Sequence, residues 1–334
     1  MIGSRVRSIR SKGFLVAISV SIAIVLGCMI LLVLLPGSGR DKALKAIVEG
    51  ILIGGIYAVI VLGVVVVYKA TKVCNLAHGG VLTFLAYFLW WLLDRAGLPL
   101  IVAAIIVVLA SLLFGLLINF LFMRRTIGQS GTITFMMTLI LGFSVIYGFV
   151  ILIFGGDPHI MPHIFPSGSL TVGNLTFSYT LLLSFLTATA MFLIFVFYFR
   201  YTNMGLAMRC VSEDNLISQS LGVSVKRIFA LSWVIGCLSA AVGGALLGAL
   251  FVVDKDIGGF AIMRALPILL LGGMESLPGA FLGAIIVGLT ESLSAAYVEP
   301  YVSGFRAVLP YILMVAILIL RPHGLFGLKG IRRL

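Results

Sequence analysis

The chain has 334 residues, of which 61% are hydrophobic and only 10% charged, against roughly 25% charged in soluble domains. One soluble core of this length does not hide so much apolar surface, so the composition points to lipid as the solvent. The net charge of +12 does not indicate a nucleic-acid binder, because the basic residues sit in short connections between apolar runs, as at a membrane surface.

At the N-terminus, Arg5, Arg7, Arg10 and Lys12 precede an apolar run over 14–35. The apolar part of a cleavable leader spans about 7–15 residues and ends in small residues at the cut. This run is longer and ends in Pro36-Gly37-Ser38-Gly39, so a retained first helix is expected. Residues 1–46 then form a basic N-terminus with that helix, and 47–334 the main transmembrane domain. Crossing a bilayer takes about 20 apolar residues in a helix that satisfies its own backbone. Further runs fall at 47–68, 76–93, 98–122, 132–154, 179–199, 229–252 and 304–320. The stretch 258–297 is too long for one crossing at about 1.5 Å per residue. Gly272-Gly273-Met274-Glu275-Ser276-Leu277-Pro278-Gly279 breaks it into a short span near 262–274 and a full one near 279–297. The expected fold is an all-α, polytopic transmembrane helix bundle of about ten spans, with a short or broken pair near 258–297.

Charge sets the orientation. With ten spans and both ends cytoplasmic, 16 of the 23 Lys and Arg residues fall in inner segments, as the positive-inside rule requires. Arg264 is counted with the outer segments, and Arg40, Lys42 and Lys45 in the first outer loop run against the rule. The outer loop 155–178 holds Asp157-Pro158-His159 and Pro162-His163 but no Lys or Arg, and the inner loop 200–228 is the largest cytoplasmic feature. Partner contacts are expected on these two. The four cysteines, Cys28, Cys74, Cys210 and Cys237, are too scattered for a disulfide frame or a zinc site.

Within the inner loop, Leu206, Cys210, Ile217 and Leu221 recur at helical spacing, away from Arg209 and Glu213, and Gly222 is a natural stop. Such a helix either lies along headgroups or docks into a groove on a cytosolic partner. Asn75, His78 and Thr83 are polar groups at the start of a span, beside Gly79 and Gly80. Polar groups at that depth face a cavity or a partner, or else the histidine is interfacial and the glycines serve close packing. Glu291 is a second ionisable group in a span: a pathway carboxylate, a group held by helix-end hydrogen bonding, or the partner of an arginine. No Gly-x-x-x-x-Gly-Lys-Ser/Thr occurs, nor His-Glu-x-x-His, nor Gly-x-Ser-x-Gly, so neither P-loop ATP binding nor a hydrolase is expected of this chain.

Four segments carry a family resemblance. Asn75-Leu76-Ala77-His78-Gly79, preceded by Gly55-Ile56-Tyr57-Ala58, resembles the Asn-Phe-Ala-His-Gly signature of permeases of branched-chain amino-acid ABC importers. The loop through Arg209, Glu213, Asp214 and Gly222 resembles their coupling segment. Gly272-Gly273-Met274 with Leu277-Pro278-Gly279-Ala280 is similar to their Gly-Gly-x-Gly-Ser-x-Pro-Gly-Ala turn. Arg321-Pro322-His323-Gly324-Leu325-Phe326-Gly327 is similar to their C-terminal motif. The segments run in family order from about residue 44 onward. Leu76, Gly80 and Glu275 depart from the pattern, which bears on the substrate and leaves the family resemblance standing.

The resemblance implies a permease in the bacterial cytoplasmic membrane, paired with a second, related permease. It implies two cytosolic ATPases and an extracytoplasmic binding protein, with no cofactor on this chain and ATP hydrolysed by its partners. Asn75, His78, Gly79, Thr83 and Glu291 become candidates for the substrate pathway. Arg209, Glu213, Asp214 and Gly222 become candidates for ATPase coupling, and Gly272, Gly273, Pro278 and Gly279 for the broken-helix turn. Branched-chain or other aliphatic amino acids are the expected cargo. Urea or short amides are the alternative, as is an ATP-independent secondary transporter, which requires charges paired deep in several spans.

Overall fold

The computed structural model describes residues 37–126, 129–213, 215–320 and 324–326. The expected first span at 14–35, Asp214 and Arg321-Pro322-His323 lie outside them. The described chain is a helical bundle. In order come α1 (Gly37–Thr71), α2 (Ala77–Trp90, continued by a π turn to Arg95), α3 (Leu100–Leu121), α4 (Gly131–Ile140) and α5 (Tyr147–Phe154), the last two joined by a π segment. A hairpin of β1 (Ser169–Val172) and β2 (Leu175–Ser178) leads to α6 (Tyr179–Tyr201), and two short helices follow, α7 (Asn203–Glu213) and α8 (Asn215–Ser220). The chain goes on through α9 (Val225–Leu250), α10 (Ile257–Gly272), α11 (Leu277–Tyr297) and α12 (Phe305–Leu320). Among the described residues, six helical stretches are long and apolar enough to cross a membrane: α1, α3, α4 with α5, α6, α9 and α11. The shorter apolar helices α2, α10 and α12 fall where further spans are expected.

Helix α1 is the central strut. Of its most apolar window 89% is buried inside the protein, against 28% in α3, in α4 with α5, and in α6. The outer helices present residues such as Ile101, Ile105, Leu109 and Ile194 outward, as lipid-facing surfaces do. Helices α11, α9 and α6 pack on α1. The α1–α11 crossing is close because Gly50, Gly54 and Gly288 meet there: a Cβ on Gly54 would stand 2.8 Å from the Ala284 carbonyl oxygen. Without a hydrophobic drive between helices in lipid, small residues that let backbones touch hold such crossings together.

The break between α10 and α11 is built from its sequence. Gly273 has φ +89°, a region that favours glycine. Ser276 then caps α11, its hydroxyl accepting from the Gly279 N–H at 3.0 Å, and Pro278 lies in the first turn, where a missing N–H costs nothing. Gly272 and Gly279 lie backbone to backbone, so a Cβ on either would collide with the other's carbonyl. Gly324 and Leu325 close over this turn, with the Leu325 N–H donating to the Leu271 carbonyl at 2.7 Å; two of the four family-like segments thus meet in space. Gly279→Ala should cost about 1–3 kcal/mol from overpacking, read as a lowered unfolding midpoint of the detergent-solubilised protein. An unchanged midpoint would show that the turn yields.

Three expectations are revised. The loop 155–178 is ordered in part as the β1–β2 hairpin, turning at Gly173-Asn174 with Gly173 at φ +60°, a two-residue turn of the kind glycine favours. Helix α1 begins ten residues before the apolar run, because Arg40, Lys42 and Lys45 extend it at a polar end instead of forming a loop. Arg264 is part of α10 and not of an outer segment. Contacts gather the connections at two ends. Lys72 pairs with Glu275 at 2.7 Å, Lys69 stands over the Phe199 ring of α6 at 4.7 Å, and α1 packs on α7, which puts 69–76, the α6–α7 junction and the α10–α11 turn together. At the opposite end, Asn174 bonds Asp41 at 3.1 Å, His159 pairs with Val253, and the Tyr297 hydroxyl donates to the Gly39 carbonyl.

Candidate functional site

At the hairpin end a cavity of about 460 Å³ opens between α1, α10 and α11, within the size range of small-molecule sites. Two of its lining residues, Tyr57 and Glu291, belong to a buried polar triad completed by Arg264. Arg264 donates through Nε to both oxygens of Glu291, at 3.0 and 3.1 Å, and through Nη2 to Oε1. The Tyr57 hydroxyl donates to Glu291 Oε2 at 2.9 Å, and the Arg264 guanidinium lies 3.2 Å from the centroid of the Phe260 ring. Both charged side chains are 11% exposed. A lone carboxylate at this depth would be expensive; a fork of guanidinium bonds plus a phenol satisfies it. Of the three readings open for Glu291, the geometry shows the arginine partner, and the group also lines the cavity.

Lys42, Lys45, Glu49 and Arg306 stand around the mouth, while Ile53, Phe251, Phe260 and Ala295 supply apolar wall. Lys45 and Glu49 are 3.9 Å apart, one helical turn from each other. Beside Arg306, backbone N–H groups of Arg306 and Gly304 donate to Glu299 and hold its carboxyl below the usual carboxylate range.

The other pathway candidates gather elsewhere. Asn75, His78 and Thr83 are 2%, 1% and 2% exposed, and with the buried Gly79 they sit where α2 meets α1, α9 and α10. Thr83 Oγ1 donates to the Gly79 carbonyl and accepts from the Gly258 N–H, both at 3.1 Å. Gly63 lies against the His78 ring and Ser239. Asn75 Oδ1 and His78 Nε2 are buried and have no hydrogen-bond partner among the described residues. His78, Gly79 and Thr83 form a tight joint, the buried Asn75 lies just before α2, and none of the four lines the cavity.

At the end opposite the cavity, α7 packs by its small side. Gly205, Met208, Val211 and Ser212 are buried, while Leu206 and Leu221 are 53% and 74% exposed. The apolar stripe through Leu206 and Leu221 therefore faces outward, the arrangement that both the headgroup and the docking readings need. Arg209 reaches back, its Nη1 donating to the Phe199 and Arg200 carbonyls at 3.1 and 3.2 Å, where it satisfies the open end of α6. Glu213 is exposed. Gly222, at φ +84°, closes α8, its N–H donating to the Gln219 carbonyl at 2.9 Å.

Sequence reasoning missed Arg264 and the role of Tyr57. An arginine eight residues into an otherwise apolar helix is the signal that could have found the first.

The sequence pattern of the branched-chain amino acid transport system permease component family matches residues 46–319. The chain is 31% identical to the high-affinity branched-chain amino acid transport system permease protein LivH of Escherichia coli (strain K12) over 306 residues, covering 85% of this chain and 95% of that protein. To the corresponding permease protein BraD of Pseudomonas aeruginosa it is 29% identical over 301 residues, with the same coverage of each.

Proposed function

Because the chain belongs to the branched-chain amino acid transport system permease family, we propose that it is the membrane-spanning subunit of an ATP-driven importer for branched-chain or other aliphatic amino acids. It is an integral membrane protein, and the reading places it in the bacterial cytoplasmic membrane with the α7–α8 end inside. The assembly is completed by a second, related permease, two cytosolic ATPases and an extracytoplasmic binding protein that docks near the β1–β2 hairpin. The observation that carries this reading is α7, anchored through Arg209 to the end of α6 while its Leu206 and Glu213 side stays exposed. A short helix fixed to the bundle, with an uncovered mixed face, suits transmission of a partner's motion into the spans. The sequence holds no P-loop of its own, so ATP is hydrolysed by the partners and no cofactor is assigned to this chain.

In this scheme α1 carries the motion across the membrane. Its inner end meets the end of α6 through Lys69 and Phe199 and packs on α7, and Lys72 ties it to Glu275 in the broken turn. Its outer half frames the cavity through Glu49, Ile53 and Tyr57. The joint at His78, Gly79 and Thr83 locks α2 to α1 and α10, so movement of α1 reaches the α10–α11 pair. Membrane vesicles holding the full assembly should take up leucine only with ATP and loaded binding protein. Uptake insensitive to ATP depletion would overturn this reading.

A further inference from the structure

Basic residues are scarce on the outer side of membrane proteins, yet this chain places Lys42, Lys45 and Arg306 together at one cavity mouth. A bias that is broken at one spot calls for a local reason, and the cavity supplies one. The Glu291 carboxylate on its lining is already engaged, since it takes Arg264 and Tyr57. It neither repels an incoming anion nor offers itself to a cation. The other charges on the lining are the three rim cations and Glu49, and Ile53, Phe251, Phe260 and Ala295 give the lower wall an apolar surface. Cations, one carboxylate and an apolar wall match the three parts of an aliphatic α-amino acid zwitterion. A neutral amide would gain nothing from lysines held on the disfavoured side.

Resting on the importer reading above, we infer that this cavity is the subsite that receives the amino acid on the outer side. The rim cations Lys42, Lys45 and Arg306 draw its carboxylate, Glu49 takes its ammonium, and the side chain lies on Ile53, Phe251 and Phe260. A cleft lined by cations also raises the local concentration of carboxylate ligands before they seat.

The test uses the complete assembly in proteoliposomes, titrated with leucine-loaded binding protein. The K42Q/R306Q variant should lower the maximal uptake rate at least tenfold. The half-saturating concentration of binding protein and its stimulation of ATP hydrolysis should stay within twofold of wild type. Glu49→Gln should lower the maximal rate in the same way, and K42R/R306K should restore most of it, which separates lost charge from lost folding. A maximal rate within twofold of wild type in K42Q/R306Q overturns the inference. So does a variant whose rate recovers at higher binding-protein concentration, because the rim would then dock the protein and not its cargo. A failure of K42R/R306K to restore the rate also overturns it. A wild-type assembly without ATP-dependent leucine uptake would instead overturn the importer reading itself.

Discussion

Replacing Arg264 with methionine should be among the most damaging single changes in the bundle. The variant keeps the side-chain bulk but leaves the Glu291 carboxylate with only the Tyr57 hydroxyl, at 11% exposure. Removing one member of a buried ion pair costs about 3–5 kcal/mol, because the remaining charge stays desolvated. The expected result is a sharp fall in folded protein recovered in mild detergent, and a clearly lower unfolding midpoint for what remains. Tyr57→Phe should cost less, about 1.5–3 kcal/mol, since it removes one hydrogen bond to a charged group that Arg264 still holds. The informative control is R264M/E291Q, which removes the stranded charge and should recover much of the loss. A double variant as unstable as R264M alone would show that packing around Phe260, not charge pairing, is what Arg264 supplies.

The triad also shows where reading a sequence stops. Span positions were legible because crossing a bilayer imposes length and apolarity together: 179–199 and 279–297 correspond to Tyr179–Tyr201 and Leu277–Tyr297. The broken turn was legible because Gly273, Ser276 and Pro278 each impose a local backbone choice. The first ten residues of α1 were hidden, since charged residues at the water side of a long helix resemble a loop. The hairpin was hidden inside a stretch read only for its charges, although Leu170, Val172 and Leu175 flank a Gly-Asn turn. Arg264 and Glu291 lie 27 residues apart, and Tyr57 and Glu291 lie 234 apart. No local pattern encodes such a meeting; only the packing of α1, α10 and α11 creates it. At α7, the burial of Met208 was likewise not legible, because the contact with α6 decides it.

The second large effect is expected at that helix. Glu213→Arg should reduce ATP-dependent uptake to a small fraction of wild type while leaving the amount of protein in the membrane unchanged. The two halves of this expectation have separate grounds. Glu213 is exposed and makes no ion pair within the described residues, and substitutions at such positions shift stability by about 0.5 kcal/mol or less. A partner surface built to meet a carboxylate would instead face a guanidinium, and like charges brought together at an interface cost several kcal/mol. Uptake should therefore fall through loss of ATPase docking, visible as less ATPase recovered with the permease on purification. Glu213→Asp should retain activity. Leu206→Glu, which places a charge on the exposed apolar patch beside it, should weaken docking in the same assay. Arg209→Gln should behave differently: it frees the Phe199 and Arg200 carbonyls and should loosen α7 from α6, lowering stability along with uptake. If Glu213→Arg transports normally and still recovers the ATPase, coupling does not run through this face of α7. The contact would then have to be sought among the other connections at that end, beginning with the Lys72–Glu275 pair that ties α1 to the broken turn.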